Sequence, residues 1–306
     1  MSTLVIHLFG GVRATLDEQP LGAFPTRWAS GLFAYLALHR GHLVHRDILT
    51  TLFWPEESDG RARKFLRNAL WRVRSLVEQA DDGHEFLVTD GHAVGLRGGE
   101  GVWVDVAEFD TLVDEARFGR GDAAPQGRLE AAVRLYQGDL MDGHDHPWCV
   151  YERQRLRLTL LEALERLMEI HMIRGEWRLA IERGRAVLSR DPLREHVHRQ
   201  LMRCHHRMGD RPLAIRQYRE CARVLDEELG IRPMEGTHRL YRQIEEGLDP
   251  PLADLAWQPP RARGGAAPID PRVSHALTRV EAALAELRGL AREEGKPKVR
   301  SVGGRG

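Results

Sequence analysis

Two stretches of the chain repeat each other at a spacing of 34 residues. Sliding residues 165–188 onto 199–222 aligns Leu167 with Leu201, Met168 with Met202, His171 with His205 and Gly175 with Gly209. It also aligns Leu179-Ala180-Ile181 with Leu213-Ala214-Ile215 and Arg185 with Arg219. Eight identities in 24 positions at this period point to tetratricopeptide-like helix pairs. A single such pair cannot bury its apolar face alone, so neighbouring pairs must stack. Gly175 and Gly209 fall at the turn inside each pair, Ala180 and Ala214 let the helices approach closely, and Pro192 breaks the chain before the next pair. Residues 129–136 read as the second helix of an earlier, degenerate pair, because Ala132 and Tyr136 are spaced as Ala214 and Tyr218 are. Residues 105–248 are therefore expected to be all-helical.

The preceding hundred residues follow another pattern. Alternating apolar runs at 4–9 and 12–16, joined by Gly10-Gly11, suit a β-hairpin. Helical periodicity follows at about 26–39, 46–54 and 60–79. Runs at 85–89 and 93–97 then flank Asp90-Gly91-His92 as a second hairpin. The expected order is β-hairpin, three helices, β-hairpin, giving a mainly α chain with small N-terminal sheets.

Residues 249–271 hold six prolines in 23 positions plus Gly264-Gly265 and read as a linker. Beyond them Val273, Leu277, Val280, Leu284, Leu287 and Ala291 recur at heptad spacing, so 272–294 is expected to be a helix with a narrow apolar seam. Such a seam suits either a homodimeric coiled coil or docking on the repeat domain. Residues 295–306 form a basic tail, expected to be disordered. The three cysteines are scattered and form no CxxC pair, which suits a reducing compartment. Residues 1–13 lack the pattern of a signal peptide, and no run approaches the ~18 apolar residues of a membrane span. The chain is expected in the cytoplasm, with no membrane partner.

The 45 basic and 45 acidic residues cancel, so net charge says nothing about nucleic acid and local charge must decide. Residues 61–77 hold Arg61, Arg63, Lys64, Arg67, Arg72 and Arg74 and no acid. At 100° per residue, Ala62, Leu66, Ala69, Leu70, Val73 and Val77 share one face, which is the expected core stripe. Arg61, Lys64, Asn68, Trp71, Arg72 and Ser75 lie opposite it, with Arg67 at the boundary and Arg63 and Arg74 on one shoulder. Such a face fits the major groove of double-stranded DNA. Arg forks onto guanine O6 and N7, Asn pairs with adenine, an apolar surface lies against a thymine methyl, and shoulder cations reach phosphates. His92 and Arg97 of the second hairpin are candidate contacts to an adjacent groove or the backbone. The plainer reading is a solvated basic face, but acidic i,i+4 partners are missing within the stretch.

Fifteen histidines invite a metal or catalytic reading. His144 and His146, like His196 and His198, are i,i+2 pairs that diverge on a helix. No HExxH, CxxC pair, GxSxG, dinucleotide fingerprint or GxxxxGK[ST] loop occurs. No cofactor, metal or catalytic residue is expected, and the chain reads as a non-enzyme. The competing class is a repeat scaffold that binds proteins and never touches DNA.

Leu36-Ala37-Leu38-His39, Arg46-Asp47-Ile48-Leu49, Leu52-Phe53-Trp54-Pro55 and Leu70-Trp71-Arg72-Val73-Arg74 together resemble the OmpR-like winged helix of the Streptomyces antibiotic regulatory protein (SARP) family. Leu135-Tyr136-Gln137-Gly138-Asp139-Leu140, Trp148, the repeat pairs and the run from Leu225 to Pro233 are similar to that family's bacterial transcriptional activator domain. The resemblance spans about residues 4–247. It implies a winged helix over 1–104, an activator domain over 105–248, binding to direct repeats near promoters, and contact with RNA polymerase. It places the recognition helix on 61–77, with Arg72 and Arg74 at typical basic positions and Lys64, Arg67 and Asn68 at variable reading positions. Trp71 replaces a small polar residue of the family pattern. His45 stands where a Ser or Thr helix cap is usual, so the second helix is expected to start less firmly.

Overall fold

The computed structural model describes residues 3–78, 85–99, 101–118 and 125–249. The Pro-rich segment from residue 250 onward, the heptad seam and the basic tail lie outside them. In chain order the N-terminal part comprises β1 (Leu4–His7), β2 (Arg13–Leu16), β3 (Gln19–Pro20), α1 (Arg27–Leu38), β4 (Val44–His45) and α2 (Arg46–Phe53). It continues with α3 (Asp59–Glu78), β5 (Leu87–Asp90), β6 (Ala93–Leu96) and β7 (Val102–Val104). The helical part comprises α4 (Asp105–Phe118), α5 (Pro125–Leu135), α6 (Pro147–Ile173), α7 (Trp177–Leu188), α8 (Glu195–Arg207), α9 (Arg211–Leu229) and α10 (Glu235–Glu245).

The first hairpin pairs Leu4 with Leu16 and His7 with Arg13, and its sheet runs β3-β2-β1-β7. β7 joins β1 in parallel, from Leu4 beside Val102 to Ile6 beside Val104. A second sheet, β4-β6-β5, makes the wing. Between the sheets α1 is buried almost all round, from Ala29 to Ala37, which is why its sequence carries no polar stripe. The mainly helical architecture with small N-terminal sheets agrees with the sequence reading.

The repeat correspondences are also physical ones. Leu167 and Leu201, Met168 and Met202, and Ala180 and Ala214 are all fully buried. Gly175 and Gly209 adopt φ of +72° and +78°, where only glycine is unstrained. Each follows a helix end closed in the same way, with Glu176 N donating to His171 O and Asp210 N to His205 O, both at 2.9 Å. The paired histidines are buried structural groups: His171 Nδ1 lies 2.5 Å from Glu176 Oε2.

Packing does not break between Val104 and Asp105. The buried Asp105 carboxylate accepts from Leu8 N at 2.9 Å, Phe9 N at 3.1 Å and Val106 N at 2.7 Å, tying the end of β1 to the start of α4. Phe9 bridges to Leu140, and Met141 N donates to Leu8 O at 2.8 Å. The segment before α6 lies on α1 and α2. Ser30 Oγ is 2.8 Å from His144 Nε2, the His146 ring packs on Trp28 and Phe53, and Trp148 packs edge-on to Tyr35. One apolar core accordingly runs from Leu4 in the first sheet to Cys204 in α8.

Candidate nucleic-acid interface

Two lines of packing orient α3. Ala62, Leu66, Ala69, Leu70, Val73 and Val77 are buried as the helical periodicity predicts, and α1 and α2 cover that stripe. Arg61, Arg63, Lys64, Arg67, Asn68, Trp71 and Arg74 are exposed on the other side, Trp71 by 67%. Lys64, Arg67, Asn68 and Trp71 follow i, i+3, i+4, i+7 spacing and so form one continuous line along the helix. Among the described residues none of these four has an ion pair.

The flanks differ from the sequence expectation. Arg61 Nε pairs with Glu57 Oε2 at 3.2 Å, and Arg63 lies 3.6 Å from Asp47 Oδ1 of α2. Acidic partners absent from 61–77 itself are supplied by Glu57, one turn before Arg61, and by Asp47 of the neighbouring helix, the latter a tertiary contact that a helical wheel cannot show. Arg72, expected far from the core, is half-buried, as is Ser75. The C-terminal half of α3 runs against the segment after β3, where Leu76 Cδ1 lies within 3.6 Å of a Cβ placed on Gly22. Arg74 reaches toward the wing, with Nη2 3.5 Å from Leu87 O. The open cationic line is therefore centred on the N-terminal half and middle of the helix.

The wing divides its two candidate residues. His92 is exposed at the tip, and its carbonyl accepts from Arg46 N at 2.8 Å. Its ring lies 6.0 Å from that of His45, whose Nδ1 is 3.6 Å from Asp47 Oδ2. With Arg63 on the other oxygen of Asp47, the tip is linked by side chains to the N-terminal half of α3. Arg97 is exposed at the opposite end, where its amide donates to Phe86 O at 2.8 Å, beside the strand position that Arg74 approaches. His92 and Arg97 do not act at one point. His45 is the N-cap of α2, and its imidazole Nδ1 accepts from Asp47 N at 3.4 Å, a long bond in line with a less firm start to that helix. An imidazole nitrogen thus stands in the place of the usual hydroxyl.

Sequence reasoning missed the groups that hold this surface in place. Asp105 is not singled out by the sequence; His144 and His146 are weighed there only as a diverging metal pair, and Trp148 only as part of the family resemblance, whereas the structure uses all four in packing. Among the described residues no three His, Cys, Asp or Glu side chains converge into a metal-binding group, and no helix is long and apolar enough to cross a membrane.

Residues 104–245 match the family model of the bacterial transcriptional activator domain. The regulatory protein AfsR of Streptomyces coelicolor is 28% identical over 81% of this chain, and the chain spans only about a quarter of that relative's length (25%). The transcriptional regulatory protein MoaR1 of Mycobacterium tuberculosis is 24% identical over 80% of this chain and 78% of its own length. Among solved structures, Mycobacterium tuberculosis EmbR, determined in complex with a low-affinity phosphopeptide, superposes with a TM-score of 0.66. It is 21% identical, and the match covers 94% of this chain and 72% of that one, a likeness of fold. A winged-helix fold is thus packed ahead of a bacterial transcriptional activator domain over residues 104–245, and the relatives it resembles are regulatory proteins.

Proposed function

We propose that this chain is a sequence-specific DNA-binding transcriptional activator. In this reading α3 lies in the major groove, the wing tip at His92 meets the flanking backbone or groove, and the repeat domain holds RNA polymerase. The observation that carries it is the line Lys64, Arg67, Asn68 and Trp71, exposed and without ion pairs among the described residues, on a helix whose reverse side is fully buried. Two cations and an amide at consecutive turns match the donor and acceptor edges of base pairs in that groove. Arg61 and Arg63, held by Glu57 and Asp47, are poised to exchange a carboxylate for a phosphate; Arg72 and Arg74 supply backbone contacts further along, with Arg97 at the base of the wing. No catalytic step is assigned to the chain, and its place of action is the nucleoid.

The test is binding of the full chain to duplexes selected by it from a random pool, measured by anisotropy across a salt series. Log affinity is expected to fall linearly with log salt, and Lys64→Ala to reduce the slope by about one. Arg67→Ala is expected to weaken the selected duplex by ~1–3 kcal/mol and relax preference at one position. Affinity insensitive to salt, or unchanged in both variants, overturns the proposal.

A further inference from the structure

One carboxylate joins the recognition helix to the wing. Asp47, the second residue of α2, has Arg63 Nη2 of α3 at 3.6 Å from Oδ1 and His45 Nδ1, at the end of β4, at 3.6 Å from Oδ2. The side chains of His45, Asp47 and Arg63 keep 50%, 61% and 66% of their surface in water, so both a phosphate and a proton can reach them. His45 Nδ1 also accepts from Asp47 N at 3.4 Å. That nitrogen therefore faces a donor and an acceptor of the same residue. Neutral, it accepts from the amide; protonated, it donates to the carboxylate.

The surrounding charges make the choice between those states matter. Arg46 follows His45 in the chain, and its amide donates to His92 O at 2.8 Å, which holds the wing tip against the start of α2. Asp90 of β5 and His45 of β4 both pair with Ala93 of β6, and the His92 ring lies 6.0 Å from that of His45. From α2, α3 and the wing, Arg46 and Arg63 thus stand against Asp47 and Asp90, and the fixed charges of this corner cancel. The imidazoles decide its sign, because histidine is the side chain whose charge changes between about pH 5 and 8. A duplex along α3 presents phosphates to Arg63. Once Arg63 leaves Asp47 for one of them, His45 is the remaining ion partner of that carboxylate among the described residues. A carboxylate and a phosphate close by both favour the charged imidazole.

We propose that His45 takes up a proton from solvent as Arg63 exchanges Asp47 for a backbone phosphate, so that duplex affinity is set by pH as well as by salt. This rests on the DNA-binding reading above and adds the regulation of the same site. The sign follows from linkage: the bound state holds more protons than the free chain, so affinity falls as pH rises through the histidine range.

The test takes the full chain and a duplex selected by it, at constant salt, with anisotropy as a function of pH and calorimetric titration in phosphate and in Tris to count protons. Between about pH 6 and 8 affinity is expected to fall about fivefold, with net proton uptake on binding at neutral pH. His45→Ser removes the imidazole and keeps a hydroxyl cap on α2. It is expected to hold the change below about twofold while the salt slope stays as it was. Arg63→Ala leaves Asp47 to His45 before DNA arrives and is expected to reduce the uptake. His92→Asn, the control for the second ring, is expected to keep most of the pH dependence. A dependence that survives His45→Ser, uptake unchanged in Arg63→Ala, or a dependence lost only with His92 overturns the proposal. Salt-dependent binding without proton uptake overturns it and leaves the DNA reading standing, whereas affinity insensitive to salt brings down both.

Discussion

Trp71 keeps two-thirds of its surface in water on a helix that could carry a small polar residue there without loss to the core. Its removal is therefore expected to leave stability within about 0.5 kcal/mol, as for surface positions generally. Binding is where the change should register. If the indole covers a thymine methyl, replacing that thymine by deoxyuridine in a selected duplex removes one methyl contact, worth ~0.8 kcal/mol or about fourfold in affinity. The unmodified chain should show that loss and Trp71→Ala should not. Equal sensitivity of the two proteins would place the indole elsewhere. Asp105 is the opposite case, a residue whose importance lies in the core. Asp105→Ala leaves the Leu8 and Phe9 amides buried without acceptors, at ~1–3 kcal/mol each, so the urea midpoint should fall sharply. Asp105→Asn keeps one acceptor oxygen and should fall less; equal losses would show that charge, not the bond count, matters. The apolar and cationic sides of α3 were legible because they depend on a local angle. The partners of Arg63 and Asp105 were not, because Asp47 and Leu8 are brought there by the fold.

At the level of elements, long periodic segments were legible and short ones were not. The 34-residue period placed the helix pairs and even the glycine turns, because stacking requires the same small and apolar residues at each repeat. β3 and β4, with two residues each, and β7, with three, offer no alternation to read, and only pairing with β2, β6 and β1 makes them strands. The turn glycines permit a clean test of local strain. Gly209 has φ +78° and open space where a Cβ would stand, so alanine there meets no neighbour and only the left-handed backbone is penalised. Gly209→Ala should cost ~1–2 kcal/mol by urea denaturation. Asn, which tolerates that region, should cost less. A neutral Gly209→Ala would mean that the turn has relaxed and is not held by the flanking helices.

For the whole molecule, the continuous core from Leu4 to Cys204 means that the winged helix and the activator domain are not independent modules, although their sequence patterns change abruptly near residue 104. Gly31 marks the closest approach: a Cβ there would lie 2.5 Å from His146 Nε2 and 3.3 Å from Phe53 Cε1. Gly31→Ala must therefore push the His146 loop away from α1, and thermal unfolding followed by tryptophan fluorescence and by helical circular dichroism should separate into two curves where the unmodified chain gives one. The same junction sets an acid limit. Burial lowers the His146 pKa below its ordinary 6.5, with the neighbouring His144 and Arg27 acting in the same direction and the backbone carbonyl of Arg27 opposing. His39, at the C-terminal end of the helix that carries Gly31, is lowered by burial too. In the unfolded chain both imidazoles take up protons near pH 6.5, whereas the folded state resists until lower pH. The unfolded state therefore binds more protons in that window, and stability present above 6.5 declines as pH falls through it. His146→Gln, which removes a titrating group from the junction, should make that decline shallower. An unchanged slope would move the acid sensitivity to the buried histidines of the repeats, His198 and His205, whose pKa values burial also lowers.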